Sequence, residues 1–269
     1  MTEIEFQRIS RFIKNRYGID MSTKKEIMDG RLANTLRRNG WETYTEYMNA
    51  VEADASGHME TELVNLLTTN HTYFMREIEH MDFLRNEILP ELKRTESVTH
   101  DIRIWCGAAS SGEEPYMIAM TIMDFFGFEQ DRWDTQVLAT DISTEALRKA
   151  IDGVYPATVM NELPEHWRRR YFRQHDDVCE VTDELKKQVL FRQFNLMNAF
   201  PFRKQLHVVF LRNVMIYFDE PTKLELIKKI YQCLVPGGYL FVGKTETIDR
   251  DNTGFDMIRP SIFRKPLDR

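Results

Sequence analysis

A short apolar strand, a turn of small residues and an acidic helix start follow one another in the segment IRIWCGAASSGEEP, residues 102–115. The apolar run at 102–106 is typical of a buried strand. Small residues fill the turn from Gly107 to Gly112, and they let a ligand approach the backbone closely. Glu113 and Glu114 then suit the first turn of a helix. The segment predicts a nucleotide-sized slot, whose acids favour a cationic or hydroxyl-rich ligand over a phosphate.

Strands and helices alternate after residue 100, whereas the part before it has the pattern of helices alone. The predicted N-terminal helices are 6–17, 24–39, 44–52, 59–67 and 77–92. The predicted strands are 102–106, 136–140, 189–195, 207–211, 239–242 and 261–265, with helices at 114–126, 144–151 and 221–234 between them. This alternation predicts an α/β fold, a mostly parallel sheet with helices on both faces, preceded by a small all-helical N-terminal domain.

Residues 153–188 interrupt the alternation. A helix at 163–172 is followed by a polar loop and a short apolar segment at 178–181, which we interpret as a small insertion at the edge of the sheet. We accordingly divide the chain into a helical domain, 1–70, and a sheet domain, 71–269, that contains the insertion.

The charge balance argues against a nucleic-acid partner. The chain has 36 Lys and Arg against 42 Asp and Glu, a formal net charge of −6, and no extended basic run. Its three cysteines are scattered and no metal-ligand spacing appears, so we expect no metal and a reducing, cytoplasmic compartment. The polar start lacks the features of a signal peptide, and no apolar run approaches the roughly 20 residues of a membrane span. We expect no direct insertion into a membrane.

Polar residues stand at the ends of three predicted strands. Asp141 could accept hydrogen bonds from the hydroxyls of a ribose, or it could cap the following helix. Asn195 and Asn213 end two other strands, where ligands bind in open α/β sheets, and together they could bracket an amino-acid or adenine group. Both asparagines also suit a plain loop.

The segment NHTYFMR, residues 70–76, brings amide, hydroxyl, aromatic and guanidinium groups into one turn-sized stretch. The simpler interpretation is a connection between domains in which Asn70 or Thr72 caps a helix. The alternative is part of a binding site. Composition alone does not choose between the two.

The predicted helix at 24–39 carries a basic stripe. Lys24, Arg31 and Arg38 are spaced by seven residues and fall on one face, beside an apolar stripe that contains Met28 and Leu32. The stripe predicts either a solvated charged face or a docking surface for an acidic partner.

Taken together, these segments resemble the CheR family of chemotaxis receptor glutamate methyltransferases. NHTYFMRE resembles the family's N-x-T-x-F-F-R-E element, and IRIWCGAASSGEEPY resembles its cofactor loop. LATDIS, FNL, RNVMIYF and LVPGGYLFVGKTE follow in the family's order and spacing, so the likeness covers nearly the whole chain. It implies a class I methyltransferase domain with a Rossmann-like mixed sheet. It also implies S-adenosylmethionine as the cofactor and S-adenosylhomocysteine as the product.

The resemblance also assigns site residues. It implies that the cofactor is bound by Asn70, Thr72, Arg76, Glu114, Asp141, Asn195, Leu196, Asn213 and Val214. Asp141 would hold the ribose, and Tyr217 would stand beside Arg76 near the reactive methyl group, where Arg76 would orient the acceptor carboxylate. By the same likeness, Lys24, Arg31 and Arg38 would dock on the acidic helical bundle of a receptor's cytoplasmic part.

Some members of the family hold a receptor's C-terminal peptide on a glycine-rich loop of the insertion. The corresponding stretch here, YFRQHDDVCEV, is short and has no glycine, so we expect no binding of a tail peptide. We expect a monomer. Three other functions stay open: methylation of another protein or small carboxylate, methylation of nucleic acid, which the charge disfavours, and non-catalytic sensing of S-adenosylmethionine.

Overall fold

The computed structural model describes residues 1–267, so the predicted domain end at residue 269 lies outside the described part. The α-helices are α1 (Glu3–Tyr17), α2 (Lys25–Asn39), α3 (Tyr44–Ala53), α4 (His58–Leu67), α5 (Glu79–Phe83), α6 (Leu89–Thr95), α7 (Glu113–Phe126), α8 (Thr144–Asp152), α9 (Glu165–Tyr171), α10 (Asp183–Lys186), α11 (Glu220–Cys233) and α12 (Arg250–Thr253). The strands are β1 (Ile104–Gly107), β2 (Val137–Asp141), β3 (Val154–Pro156), β4 (Phe172–His175), β5 (Val178–Val181), β6 (Val189–Gln193), β7 (Leu206–Leu211), β8 (Leu234–Val242), β9 (Asp256–Arg259) and β10 (Ile262–Arg264). The predicted α/β fold with an all-helical start is confirmed.

Helices α1 to α4 form the N-terminal bundle. Thr2 and Thr43 close capping boxes at the starts of α1 and α3. Gly18 ends α1 with φ 71°, a left-handed conformation that residues with a side chain disfavour. The bundle's own apolar core includes Ile9, Leu32, Tyr47 and Leu63.

Seven strands form one sheet in the order β6-β2-β1-β7-β8-β10-β9. The first five are parallel, and β10 and β9 add two antiparallel strands at one edge. The chain builds outward from β1 to one side and later continues on the other side with β7, so the topological switch point lies between these two strands. Ligands of open α/β sheets bind at the carboxyl ends of the strands at such a point.

Strand β1 lies at the centre of the sheet and is buried on both faces. Ile104 and Cys106 belong to the apolar core on one face, and Trp105 between them belongs to the core on the other. A strand that is covered on both faces has a continuous run of apolar residues instead of an alternating pattern. This is why β1 could be predicted from the sequence.

The insertion is a three-stranded antiparallel sheet in the order β3-β5-β4. The sequence predicts a helix up to Phe172, but α9 ends at Tyr171 and Phe172 begins β4. The Nε1 of Trp167 and the hydroxyl of Tyr171 donate hydrogen bonds of 2.7 and 2.6 Å to the carboxylate of Asp124 on α7. These bonds fix α9 on α7, and the chain continues from there in extended conformation.

An unpredicted strand and a shifted helix start also distinguish the structure from the prediction. Strand β9 was not predicted, because all four of its residues are exposed and show no apolar alternation. The helix predicted from residue 77 begins at Glu79, and it continues through one π-helical turn, Leu84–Ile88, into α6. Within residues 1–267, none of the helices is long and apolar enough to cross a membrane.

Candidate active site

A cleft opens at the carboxyl ends of the central strands, and the segment that leads into α2 forms its opposite wall. All nine residues that the resemblance assigns to the cofactor line this one cleft. Tyr217, Lys24 and Arg31 line it as well. Arg38 lies away from it and forms an ion pair of 2.8 Å with Glu62. The sequence-predicted residues are therefore brought together, with Arg38 as the exception.

The turn after β1 forms the floor of the cleft with an unusual backbone. Ala108, Ser110 and Gly112 have φ values of 62°, 50° and 99°, all in the left-handed region. A Cβ at Gly112 would lie 2.9 Å from the Cβ of Ala150 and 3.0 Å from the hydroxyl of Tyr155, so only glycine fits there. Two strained non-glycine residues in one turn persist only where the surroundings fix them.

Asp141 provides part of that fixation. Its Oδ2 accepts a hydrogen bond of 2.8 Å from the backbone N–H of Ser110, and its Oδ1 accepts one of 2.8 Å from the N–H of Ser143. Burial raises the pKa of Asp141, while these backbone donors oppose the shift. The side chain that caps α8 belongs to Ser143, whose Oγ accepts from the N–H of Ala146 at 3.1 Å. Asp141 is thus a buried carboxylate at the strand end and not the helix cap.

Asn70, in the segment between the bundle and the sheet, contacts the residues that follow both β1 and β2. Its Nδ2 lies 3.4 Å from the Oγ of Ser143, and its carbonyl accepts a hydrogen bond of 3.0 Å from the Oγ of Ser110. The next helix, α5, has Ile78 at its N-cap position, so neither Asn70 nor Thr72 caps a helix. The capping interpretation of this segment is wrong.

Arg76 lies half-buried on the wall of the cleft. Its guanidinium donates to the carbonyl of His71 at 3.0 Å and lies 5.5 Å from the centre of the Tyr73 ring. Its neighbours Met75 and Glu77 have φ values of 65° and 51°. Such conformations cost about 1–3 kcal/mol each and require support from outside the segment.

The helical bundle contributes directly to the opposite wall. The ammonium of Lys24 lies 5.4 Å from the centre of the Tyr217 ring, and the N–H of Asp20 donates to the carbonyl of Tyr217 at 2.7 Å. Arg31 donates to the carbonyls of Leu67 and Thr68 at 2.7 and 3.2 Å. Of the three basic residues in the stripe, Arg31 therefore fixes the end of α4, and Lys24 lies nearest to the candidate reaction site.

The two asparagines at strand ends both line the cleft, and the side chain of Asn195 already has two partners within the protein. The Nδ2 of Asn195 donates to the carbonyl of Arg16 at 2.7 Å, and its Oδ1 accepts from the N–H of Met197 at 2.9 Å. This side chain is committed within the protein, so its contribution to the cleft comes from the backbone. Asn213 has φ 56°, and its backbone N–H donates to Glu246 at 2.7 Å.

Glu246 is a site residue that sequence reasoning missed. The residue is 6% exposed. Its carboxylate accepts four backbone N–H bonds at 2.6–3.3 Å, and no cation is paired with it among the described residues. The donors are Asn213, Met215, Ile216 and Gly243. Glu246 therefore holds the turn that carries Val214 and Tyr217. Glu246 ends the segment LVPGGYLFVGKTE, but three of its four donors, Asn213, Met215 and Ile216, are 30 to 33 residues away in the chain, so the local pattern does not reveal its role.

Arg212 is the second residue without an assigned role, although it stands at the end of β7 in the predicted motif. It is 5% exposed. Its Nη1 donates to Glu114 at 2.5 Å, and its Nη2 donates to the carbonyl of Arg76 at 2.8 Å and lies 3.2 Å from Glu77. Burial disfavours the charged guanidinium, but Glu114 and Glu77 outweigh it and raise the pKa of Arg212.

The donor set of the cleft suits a nucleoside with a cationic group. Asp141 and Glu114 present carboxylates to it, and neither is a partner for a phosphate. Cys106 lies beside Glu114, with 3.5 Å between Sγ and Oε2, and burial raises the pKa of Cys106, which keeps the thiol neutral. Lys24 and Arg76 add positive charge on the walls of the cleft.

Comparison with known proteins finds matches over nearly the whole chain. The family model described as CheR methyltransferase, SAM binding domain, matches residues 70–263, and the model described as CheR methyltransferase, all-alpha domain, matches residues 4–68. A chemotaxis protein methyltransferase of Borreliella burgdorferi is 40% identical over 98% of this chain and 95% of its own length. A probable one of Rhizobium etli is 34% identical over 90% and 92%, and one of Escherichia coli is 33% identical over 98% and 91%.

Proposed function

The chain belongs to the CheR methyltransferase family, and from this premise we propose that it methylates glutamate side chains of chemotaxis receptors. The products are glutamate methyl esters and S-adenosylhomocysteine. The observation that carries the proposal is the position of Arg76, Lys24 and Tyr217 on the walls of the same cleft that contains Asp141 and Glu114. Cofactor residues and acceptor-orienting residues thus face one space.

Nine residues of the cleft would hold S-adenosylmethionine. The buried carboxylate of Asp141 suits the ribose hydroxyls, and Glu114 suits the cationic methionyl part. The backbone of residues 195–196 and 213–214 would complete the pocket. When bound, the cofactor supplies a methyl group on a sulfonium, which an acceptor oxygen takes over by in-line displacement.

The acceptor requires positioning rather than activation. A glutamate side chain has an unperturbed pKa of about 4.3, so it is already ionised at neutral pH and no general base is needed. Arg76 would hold this carboxylate through its guanidinium fork, and the Tyr217 ring would restrict its approach. Covering the cleft removes water from the carboxylate, and alignment supplies most of the rate.

The partner we propose is the acidic helical bundle of a receptor's cytoplasmic part, which also places the reaction in the cytoplasm. Lys24 at the mouth of the cleft and Arg38 further along α2 would face that bundle, with Arg31 between them. We propose a monomer that acts without a metal ion. We also propose that no receptor tail peptide is tethered, because the short stretch YFRQHDDVCEV in the insertion has no glycine.

A transfer assay tests the proposal. The protein is mixed with methyl-labelled S-adenosylmethionine and chemoreceptor-containing membranes, and the labelled receptor band is then treated with alkali. Label that leaves as methanol identifies a carboxyl methyl ester on the receptor. Alkali-stable label would identify a different acceptor atom. Cofactor binding without any labelled receptor would contradict the proposed substrate, and other acceptors or a sensing role would then replace it.

A further inference from the structure

We propose that Arg212 is the positioning residue that couples the cofactor pocket to the acceptor-orienting Arg76. This inference rests on the proposed function. One guanidinium nitrogen of Arg212 donates to Glu114 at 2.5 Å, and the other donates to the carbonyl of Arg76 at 2.8 Å. The single side chain of Arg212 therefore holds two groups. One is the Glu114 carboxylate in the cofactor pocket, and the other is the backbone carbonyl of Arg76.

Because Arg212 is buried, its charge requires partners within the protein. A charged side chain is almost never fully buried unless it is paired, and removing its partners leaves an uncompensated charge. Glu114 and Glu77 supply two carboxylates around the single cation, so the group as a whole carries a net negative charge. Without Arg212, two carboxylates would face each other in the interior with no cation between them.

The backbone at Arg76 needs this support. Met75 and Glu77 on either side of it adopt left-handed conformations, which their side chains disfavour. The bond from Arg212 holds the carbonyl between these two residues. We infer that Arg212 pins the strained turn in the form that points the Arg76 side chain along the wall of the cleft.

The same geometry gives Glu77 a role. Glu77 follows Arg76 directly in the NHTYFMRE motif, and its Oε2 lies 3.2 Å from the Nη2 of Arg212. Its Oε1 also accepts from the N–H of Lys244 at 3.3 Å. Glu77 is thus the second anchor of Arg212, and it keeps the guanidinium turned toward Arg76 and Glu114.

Three variants test the coupling: Arg212→Met, Arg212→Lys and Glu77→Gln. The affinity for S-adenosylhomocysteine is measured by calorimetry, kcat and KM by receptor methylation, and backbone exchange of residues 74–78 by hydrogen–deuterium exchange. For Arg212→Met we expect at least about tenfold weaker product binding, at least about tenfold lower kcat and faster exchange. Arg212→Lys keeps the charge but not the fork, so it should restore part of the binding and little of kcat.

A matched control separates positioning from stability. Arg264→Met also removes an Arg–Glu pair, with Glu91, but at the far edge of the sheet. It should lower the melting temperature and leave product affinity, kcat and the exchange of residues 74–78 unchanged.

The outcomes distinguish this inference from the proposed function. Wild-type product affinity, kcat and exchange in folded Arg212→Met would overturn the coupling. If Arg212→Met does not fold, Arg212→Lys and Glu77→Gln decide, and wild-type behaviour of both would overturn it. If the wild-type protein transfers no methyl group to receptors, the proposed function fails, while product affinity and exchange still test whether Arg212 fixes Glu114 and the turn at Arg76.

Discussion

The ammonium nitrogen of Lys24 lies 5.4 Å from the centre of the Tyr217 ring. Lys24 stands at the start of α2 in the helical bundle, and Tyr217 follows β7 in the sheet domain. The bundle therefore forms part of the wall of the cleft. A partner that docks on α2 would deliver its side chains directly to the place where Arg76 and Tyr217 face the cofactor pocket.

Charge reversal at Lys24 should weaken receptor methylation and spare the cofactor. We expect Lys24→Glu to lower kcat/KM for receptor at least about tenfold, because it places a negative charge where an acidic helix approaches. Affinity for S-adenosylhomocysteine should stay within about twofold of wild type, since Lys24 faces the acceptor side.

Two further variants calibrate this result. Arg38→Glu should lower kcat/KM for receptor less than Lys24→Glu does, because Arg38 is remote from the cleft and paired with Glu62. Lys149→Glu on α8, whose wild-type lysine pairs with Glu145, controls for the change of net charge. A larger loss from Arg38→Glu than from Lys24→Glu would show that the docking surface is centred further along α2 than we propose.

Removal of the Arg76 guanidinium should nearly abolish transfer while the fold persists. Arg76→Ala should lower kcat at least about a hundredfold, because alignment of the acceptor supplies most of the rate. Arg76→Lys should recover little, since lysine cannot form the bidentate fork to a carboxylate. Single-turnover methylation of receptor membranes measures the effect, and far-ultraviolet circular dichroism checks the fold. Turnover close to wild type in Arg76→Ala would remove Arg76 from the mechanism.

Glu246 offers a test of how the Tyr217 turn is held. The amide of Glu246→Gln has one acceptor oxygen in place of two and turns an NH₂ group toward backbone donors. We expect a loss of about 1–3 kcal/mol in unfolding free energy, measured by urea denaturation, because buried N–H groups lose their acceptor. The kcat for methyl transfer should fall as well. A variant as stable and as active as the wild type would show that the turn keeps its shape without this carboxylate.

The family resemblance, and not a local pattern, assigned Asn70, Thr72 and Arg76 to the cleft, whereas other parts of it are predicted by local patterns at the ends of apolar strands. Asp141 and the turn after β1 belong to this kind, since a buried parallel strand and its polar end are local patterns. Arg212 acts through groups far away in the chain, and so does Glu246 with the exception of Gly243, so the sequence around them does not reveal most of their partners. Strand β9 was missed for the opposite reason, since an exposed edge strand buries no apolar face.

The sequence did not predict the left-handed turns either. Met75, Glu77, Ala108 and Ser110 all adopt positive φ, although none is a glycine or asparagine. Their conformations follow from hydrogen bonds that the folded cleft supplies, such as the one from Ser110 to Asp141 at 2.8 Å. Local propensity predicts helix from residue 77, whereas Glu77 is left-handed in the structure and the helix begins at Glu79.

Buried His80 should make the stability of the protein depend on pH. Its Nε2 lies 2.8 Å from the Oγ of Ser261, and its Nδ1 lies 3.6 Å from Glu77 in a cluster that also includes Arg212. Burial, with the nearby charge of Arg212, lowers the pKa of His80 to about 4, from about 6.5 in the unfolded chain. Between these values the unfolded state binds a proton that the native state does not bind.

The free energy of unfolding should therefore decrease as the pH is lowered. Stability is fully present above pH 6.5 and falls as the pH is lowered toward 4, by up to about 3 kcal/mol for this one group. His80→Gln keeps a polar side chain of similar size without a titratable ring, so its unfolding free energy should decline less over this window. Urea denaturation of both proteins at pH 7, 6, 5 and about 4.5 measures the difference, in which the other titrating groups cancel. Equal slopes in the two proteins would mean that His80 is protonated as easily in the folded state as in the unfolded chain, and that the Glu77 carboxylate beside it offsets the burial.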